Sequence, residues 1–413
     1  MASGKESDLF TATFEAEKLR EKFKQYAVPA AKIWIGKQQQ ELVRAADVRI
    51  ENIRISLNLD SAASADFGVT DIWDDKQNAI KQSVKNHLVC GAMIKIELGY
   101  GSELVDVFHG FIYETSIQFS EIPSMQVTVM DIKRLMADNE EIDKVWEEQT
   151  LSNLFSTLMG KYQAFGLNAS VEQNKKEAAG GDKGEVKTFI QRGSDLSLVR
   201  KLCREHDLRF VVYGKEAKLT AKNEEAAILT LSWGKDLISF THTNSYVNTE
   251  IVVRGTRKIS TQKNTSKGAA SSSLSNEKAS GTSGGSKQAG GSEQKKVVIE
   301  KKETVLSDKV AATGIPKSVK VIELTNMRSE DEASSRLADE VESVNESMYS
   351  GRGSCIGMPV LIPGRYLCIR GIDGSVDGEY YLKAVSHTFG TDGFTTDFTL
   401  GGKKKQRGKT GQM

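Results

Sequence analysis

Residues 257–296 read RKISTQKNTSKGAASSSLSNEKASGTSGGSKQAGGSEQKK, a stretch without an aromatic residue or a proline. Such a Ser/Gly/Lys composition buries too little apolar surface to offset the entropy of ordering. The segment is therefore predicted to be a flexible Ser/Gly/Lys insertion, its ends on the order of 35 Å apart if unconstrained. Its flanks are β-rich, Thr249 to Arg254 (TEIVVR) before it and Val297 to Glu300 (VVIE) after it. Loop-closure entropy grows only logarithmically with length. The two flanks are thus predicted to be neighbouring strands with a loose excursion between them.

Before the insertion, residues 30 to 135 carry strand signals. Ala31 to Ile35 opens the series. Val48 to Leu59 (VRIENIRISLNL) alternates apolar and polar residues, with an irregularity at Glu51-Asn52 that predicts a bulge. Met93 to Leu98 ends at Gly99-Tyr100-Gly101, a turn. Leu104 to Phe119 has Gly110 in its middle, which predicts a bend or bulge. Gln126 to Asp131 completes the set. Short strands at this spacing predict an antiparallel barrel or sandwich.

From Glu140 the period changes. Thr150 is predicted to cap a helix whose apolar face is Leu151, Leu154, Phe155, Leu158, Met159 and Tyr162. A second helix follows Ser194, with Leu196, Leu198, Val199, Leu202 and Cys203 inward. Strands are expected at 209–213 and 217–220. Beyond the insertion, 318–324 reads as a strand. A helix over 329–349 follows, started by a Ser329/Glu332 capping box and stopping near Gly351. Strands are then predicted at 359–362, 366–369, 380–385 and 394–400.

The domain organisation expected is a first tube-like barrel with its N-terminal segment (1–138) and a small α/β module (139–225). A second tube-like barrel (226–256 and 297–402) contains the helix and is interrupted by the 257–296 insertion. A basic tail (403–413) ends the chain. The fold class is mainly β with an α+β insert: two tube-like antiparallel β-barrel domains and a small α/β module.

Lys and Arg number 56 and Asp and Glu 55, a net charge of +1. This argues against a protein that coats nucleic acid over its whole surface. The balance is uneven. The insertion holds eight Lys/Arg and two Glu, and the tail five Lys/Arg and no acid, so that the other residues together carry −10. Such an acidic body repels DNA and acidic cargo. No apolar run is long enough for a transmembrane helix, and the N-terminal MASGKESDLF lacks the apolar core of a signal peptide. Cys90, Cys203, Cys355 and Cys368 form no C-x-x-C pair and are expected as reduced thiols.

The search for catalytic chemistry is negative: no G-x-S-x-G, no H-E-x-x-H, no Walker A loop. No catalytic, cofactor-binding or metal-binding residue is assigned. Gly351-Arg-Gly353-Ser-Cys-Ile-Gly357 is read as a helix stop and turn rather than a phosphate loop. Glu140-Glu141 and Glu147-Glu148, the one candidate carboxylate cluster for a peptidoglycan hydrolase, are read as exposed charges on a helix surface. Cys203, with His206 three residues on, is read as a buried thiol, and His387 as a hydrogen-bonded structural histidine. A surface-binding β protein is the remaining alternative, although Trp34, Trp73, Trp146 and Trp233 are far apart in sequence.

Four stretches together resemble the phage late control protein D family, the baseplate hub of contractile tails, to which the first part of VgrG is related. They are Val107–Ile112 with Val127–Asp131, Phe189–His206, Gly357–Gly364, and Gly378–His387 with Gly393–Leu400. The second is similar to the family's "glutamine, any, glycine, glutamate, serine, aspartate" run, with Gln191, Gly193, Ser194 and Asp195 present and the glutamate missing. The resemblance implies a non-enzymatic homotrimer whose six barrels adapt the hexameric tail tube to a trimeric spike. The spike is expected as a separate protein. The implied partners are further copies of this chain, the tail tube protein, the spike and other baseplate proteins, the tape measure protein among them. It implies no cofactor, no membrane insertion and no specific nucleic-acid binding. The expected location is the baseplate of a virion or particle assembled in the bacterial cytoplasm.

Overall fold

The computed structural model describes residues 9–148, 150–171, 187–206, 208–221, 226–260, 294–307, 315–324 and 330–403. Ser329 and residues 261–293 of the insertion lie outside them. The chain divides into two compact units, Met1–Asn244 with Tyr349–Met413, and Ser245–Met348.

The first unit opens with α1 (Ala16–Lys22), β1 (Pro29–Ile35), β2 (Gln40–Glu41), α2 (Leu42–Ala46), β3 (Arg49–Asn58) and β4 (Ser64–Thr70). It continues through β5 (Trp73–Asp74), β6 (Ala79–Ile80), α3 (Gln82–His87), β7 (Met93–Tyr100), β8 (Glu103–Gln118), β9 (Ser124–Met130) and α4 (Ile132–Asp138). The α/β portion is β10 (Glu140–Glu148), α5 (Leu151–Gly160), β11 (Asn168–Val171), β12 (Lys187–Ser194), α6 (Asp195–Glu205), β13 (Leu208–Tyr213) and β14 (Glu216–Ala221). Then come β15 (Leu229–Ser232) and β16 (Leu237–Asn244). The second unit contributes β17 (Asn248–Ser260), β18 (Gln294–Leu306), β19 (Ser318–Leu324) and α7 (Glu330–Met348). The chain returns to the first unit with β20 (Tyr349–Ile356), β21 (Tyr366–Arg370), β22 (Gly378–Gly390) and β23 (Gly393–Lys403).

One 13-stranded sheet dominates the first unit, in the order β16-β20-β23-β22-β3-β4-β9-β8-β7-β1-β2, with β21 beside β22 and β15 beside β21. Two separate closed barrels were the expectation. The order is instead open, and its two halves are fused where residues 384–389 of β22 pair antiparallel with 53–58 of β3. Local alternation fixes which face of a strand is buried but carries no information on which distant strand lies beside it.

The two halves repeat one topology. In chain order the first is β3, β4, β8, β9, and in space β3-β4-β9-β8. The second is β16, β20, β22, β23, and in space β16-β20-β23-β22. Both read first, second, fourth, third, in the same direction across the sheet. Irregularities repeat as well: the pairing slips between Ile112 and Glu114 against β9, and between Leu382 and Ala384 against β23.

The core lies under one face of this sheet. Ile53, Ile55 and Leu57 of β3, Ala65, Phe67 and Val69 of β4, Val127 and Val129 of β9, and Phe398 and Leu400 of β23 are buried there. Each such Ile or Phe contributes roughly 1.5–3 kcal/mol of burial. The bulge expected at Glu51-Asn52 is present, with a slip between Glu51 and Arg54 and Asn52 at φ +50°. The bend expected at Gly110 is instead two slips on either side of it, one between Ile96 and Glu97 against β8 and one after Ile112. Gly110 answers a close approach, since a Cβ there would lie 2.3 Å from the Met130 carbonyl oxygen.

The α/β portion has its own core of Leu151, Leu154, Phe155, Leu158, Leu198, Val199 and Leu202. Thr150 caps α5 by accepting the Asn153 N–H, and Ser194 caps α6 by accepting that of Ser197. Glu140–Glu148, expected on a helix, is a strand paired with β12. In the second unit β17 pairs β18 antiparallel as the flanks implied, and the ladder runs on to Ser260 opposite Gln294. β19 lies parallel to β17, and α7 packs against β17 and β18, with Ile251, Val253, Ala333 and Leu337 buried. These strands form a sheet of their own rather than part of a second barrel.

Two readings near the C-terminus change. Residues 351–356 form strand β20, not a helix stop and turn, because the chain pairs with β16 and β23 straight after Met348. The stretch 359–362 is not a strand but a buried turn, closed by the Leu361 N–H donating to the Met358 carbonyl at 3.1 Å.

Candidate assembly site

The face of the sheet away from the core is polar, and its side chains line up in rows across strands. One row runs Ser239, Ser354, Asp397, Ser386, Ser56, Ser64, crossing from β16 to β4 through the β22–β3 seam. A neighbouring row runs Thr395, Thr388, Arg54, Asp66, Thr128, Glu114, ending on β8. A third holds Thr241, Arg352, Thr399, Ala384 and Asn58. Short side chains leave a groove of about 570 Å³ over the seam, lined by Arg54, Ser56, Arg352, Ser354, Ser386 and Asp397 among others. The Ser386 hydroxyl, at its centre, has no hydrogen-bond partner. Thr128 donates to the Asp66 carboxylate at 2.7 Å. The face is hydroxyl-rich with charges of both signs.

On the core side, the seam places His387 against Ile55, both fully buried. His387 Nδ1 lies 2.9 Å from the Thr396 hydroxyl. Burial pushes its imidazole down to about 4, so it is neutral at ordinary pH. It is the structural histidine the sequence implied.

The glutamine and aspartate of the motif at 189–206 meet in a buried cluster. Asp195, with no exposed surface, accepts from Tyr162 Oη at 2.6 Å, Gln191 Nε2 at 2.7 Å, Asn139 Nδ2 at 2.9 Å and Lys161 Nζ at 3.1 Å. Gln191 in turn accepts from Trp146 Nε1 at 2.9 Å. Burial works against the Lys161 ammonium, but hydrogen bonds to Glu141 and Asp195 raise it above the ordinary lysine range. One carboxylate thus ties β10, α5, β12 and the start of α6 together. The motif is a structural lock, and its spacing follows from Gln191 and Asp195 hydrogen-bonding each other across the turn into the helix.

A second anchor holds the β3–β4 loop. Lys133, buried, donates to the carbonyls of Asn58, Leu59 and Ser61 at 3.1–3.5 Å, and Arg200 donates to that of Asp60. Asp131 caps α4 through the Lys133 N–H, and burial raises its carboxyl to about 6. Neither anchor was visible in the sequence, since both join residues dozens of positions apart.

The remaining candidates are not brought together. Glu141 is engaged by Lys144 and Lys161 at 3.3 and 2.9 Å, and these hydrogen bonds hold its carboxyl below the usual glutamate range. Cys203 is buried, its thiol pushed up to about 11 by desolvation. Cys90 is exposed, and Cys355 and Cys368 are buried. Among the described residues no group of three His, Cys, Asp or Glu is placed to hold a metal ion, and no helix is long and apolar enough to cross a membrane.

The same fold is found in solved tail proteins. The tail protein from Neisseria meningitidis MC58 superposes with a TM-score of 0.59 at 10% identity, over 91% of this chain and 96% of that one. The 43 kDa tail protein of prophage MuSo2 from Shewanella oneidensis gives 0.58 at 13% identity, over 90% and 98%. The E. coli c3393 protein, a component of the type VI secretion system described as similar to the T4 bacteriophage tail proteins gp27 and gp5, gives 0.51 at 12% identity, over 89% and 76%. The resemblance drawn from the four sequence stretches therefore holds at the level of fold. The family model for the Alg8 N-terminal domain matches residues 37–390, and the chain belongs to that family. No curated protein matches the sequence.

Proposed function

We propose that this chain is a structural, non-enzymatic hub of a contractile injection machine, whether phage tail, tailocin or extracellular injection system. Three copies form a ring that adapts a hexameric tail tube to a trimeric spike at the baseplate. The observation that supports this is the doubled four-strand motif. One chain carries two equivalent β units side by side in one sheet, so three chains present six units to a six-fold partner while keeping three-fold symmetry for the spike. The tail-protein fold over about nine-tenths of the chain supports the same reading. The polar face that crosses the seam is then the candidate channel lining.

The test is mass photometry and cryo-electron microscopy of the chain mixed with the tube and spike proteins of its own machine. The expected result is a three-copy ring between tube and spike. A chain that stays monomeric with both partners present refutes the reading. A peptidoglycan zymogram is expected to show no clearing.

A further inference from the structure

The doubled motif leaves two strand edges unused, and they are complementary. In the second half, β22 has β23 on one side of residues 384–389 and β3 on the other. In the first half, the equivalent part of β8, residues 114–118, has β9 on one side. Its pairing with β7 ends at Phe111, so no strand among the described residues lies on the other side. At the opposite end of the sheet, β16 pairs with β20 alone, apart from an isolated bridge at Leu237. β16 is the first strand of its half, as β3 is of the other. The chain thus makes the contact "third strand of one half against first strand of the other" once, and presents both surfaces for making it again.

We infer that β8 of one copy pairs antiparallel with β16 of a second copy, in the register of the β22–β3 seam, so that identical head-to-tail contacts close the ring. This rests on the hub reading and names its interface. The two halves align residue by residue through their ladders: Ser116 pairs with Gln126 as Ser386 pairs with Asp397, and Thr241 with Arg352 as Arg54 with Asp66. Carrying the seam across places Ser116 opposite Thr243, Ile117 opposite His242, Gln118 opposite Thr241 and Phe119 opposite Phe240 of the second copy.

The side chains fit that register. On the core side the internal seam sets a histidine against an isoleucine, His387 on Ile55. The intermolecular one sets an isoleucine against a histidine, Ile117 on His242. Ile117 and Phe119 are exposed to 37% and 67%, unusual for residues continuing a core face, and the contact would cover them. His242 Nδ1 is shielded from solvent without a hydrogen-bond partner. On the other face the hydroxyl rows continue, Ser116 and Gln118 meeting Thr243 and Thr241. A contact of this kind is heterologous and makes a closed ring when its rotation divides the circle. The same contact also covers edge strands that would otherwise template aggregation.

The test is a disulfide in register. The full chain with Cys90→Ser, Ser116→Cys and Thr243→Cys is assembled with its tube and spike proteins, oxidised and run on a non-reducing gel. The expected product is a covalent ring at three times the chain mass. The single variants and the off-register pair Ser116→Cys with Ser239→Cys should give none. Phe119→Lys gives up an edge-on contact with the Trp73 ring, so it should lower the melting of the free chain by no more than a few degrees, and it should weaken ring formation at least tenfold. Rings that form without the in-register cross-link, or that tolerate Phe119→Lys, overturn this interface and leave the hub reading standing. A chain that remains monomeric with both partners overturns the two together.

Discussion

Replacing Asp195 by Ala tests whether the motif at 189–206 is the structural lock described above. The carboxylate has no exposed surface and accepts from four side chains. Without it Lys161 keeps Glu141 as a partner at 2.9 Å, but Tyr162 and Gln191, 7% and 1% exposed, lose an acceptor they cannot replace with water. Leaving a buried donor unsatisfied costs about 1–3 kcal/mol, and breaking a buried charged network by removing one partner costs about 3–5 kcal/mol. The donors share one acceptor, so their costs do not add. The expected loss is therefore about 3–5 kcal/mol, concentrated in β10, α5, β12 and α6. Amide hydrogen exchange reads it locally, because 1.4 kcal/mol is a factor of ten in the opening equilibrium. Exchange in those four elements should rise by about a hundredfold or more, with β4 and β9 of the large sheet little changed. Asp195→Asn, which keeps one acceptor oxygen, should fall between. A rise under tenfold, or an equal rise throughout the sheet, would show that the cluster does not hold this part together.

Three further outcomes follow from single features. His387 is held neutral with its pKa lowered from 6.5 to about 4, so the unfolded chain takes up a proton that the folded one refuses. That stability is fully present above about pH 6.5 and is lost as pH falls toward 4, about 3 kcal/mol in all. Urea midpoints at pH 7 and 4.5 should show it, and His387→Gln should flatten the dependence. A Cβ at Gly99 would lie 2.1 Å from the Glu103 carbonyl oxygen, a backbone atom that cannot step aside. Gly99→Ala should therefore cost about 1–3 kcal/mol, read as a lowered melting temperature. Replacing residues 261–293 by a short Gly-Ser loop should change stability by less than about 1 kcal/mol, because loop closure depends weakly on length and the β17–β18 ladder is already paired up to Ser260 and Gln294.

What the sequence made legible was local. The apolar spacing at Leu151, Leu154, Phe155 and Leu158 predicts α5, and all four residues are buried. The broken alternation at Glu51-Asn52 predicts the bulge found there. Glu140–Glu148 misled because its charges suggest an exposed helix, whereas Trp146 and Val145 alternate as a strand whose partner, β12, comes some forty residues later. Gly351 and Gly353 suggest a turn. In the structure they make room, since Cβ atoms there would strike the rings of Phe240 and Phe398 at 2.8 and 2.6 Å. Neither of those rings lies nearby in sequence. The seam was hidden for the same reason: Ser56 and Ser386 are each unremarkable polar residues on an alternating strand, and only their adjacency forms the site.

The position of the second unit bears on the repeat itself. In the first half the first and second strands, β3 and β4, are joined by Leu59–Ala63. In the second half the same connection, between β16 and β20, contains all of Ser245–Met348. A hairpin can carry so large an excursion because its register is held from elsewhere: β20 is fixed by β23 on its other side, residue for residue from Ser350 to Ile356. β16 has no such second neighbour within the chain, and it is the strand whose pairing depends most on what joins it. A second copy's β8 would supply that neighbour. The half that tolerates the larger insertion is therefore the half whose outer strand gains most from assembly. On this argument β16 should be the least protected strand of the sheet in the free chain and should approach the protection of β3 once the ring has formed. Hydrogen exchange measured before and after assembly decides it, and a β16 already as protected as β3 in the monomer removes the argument.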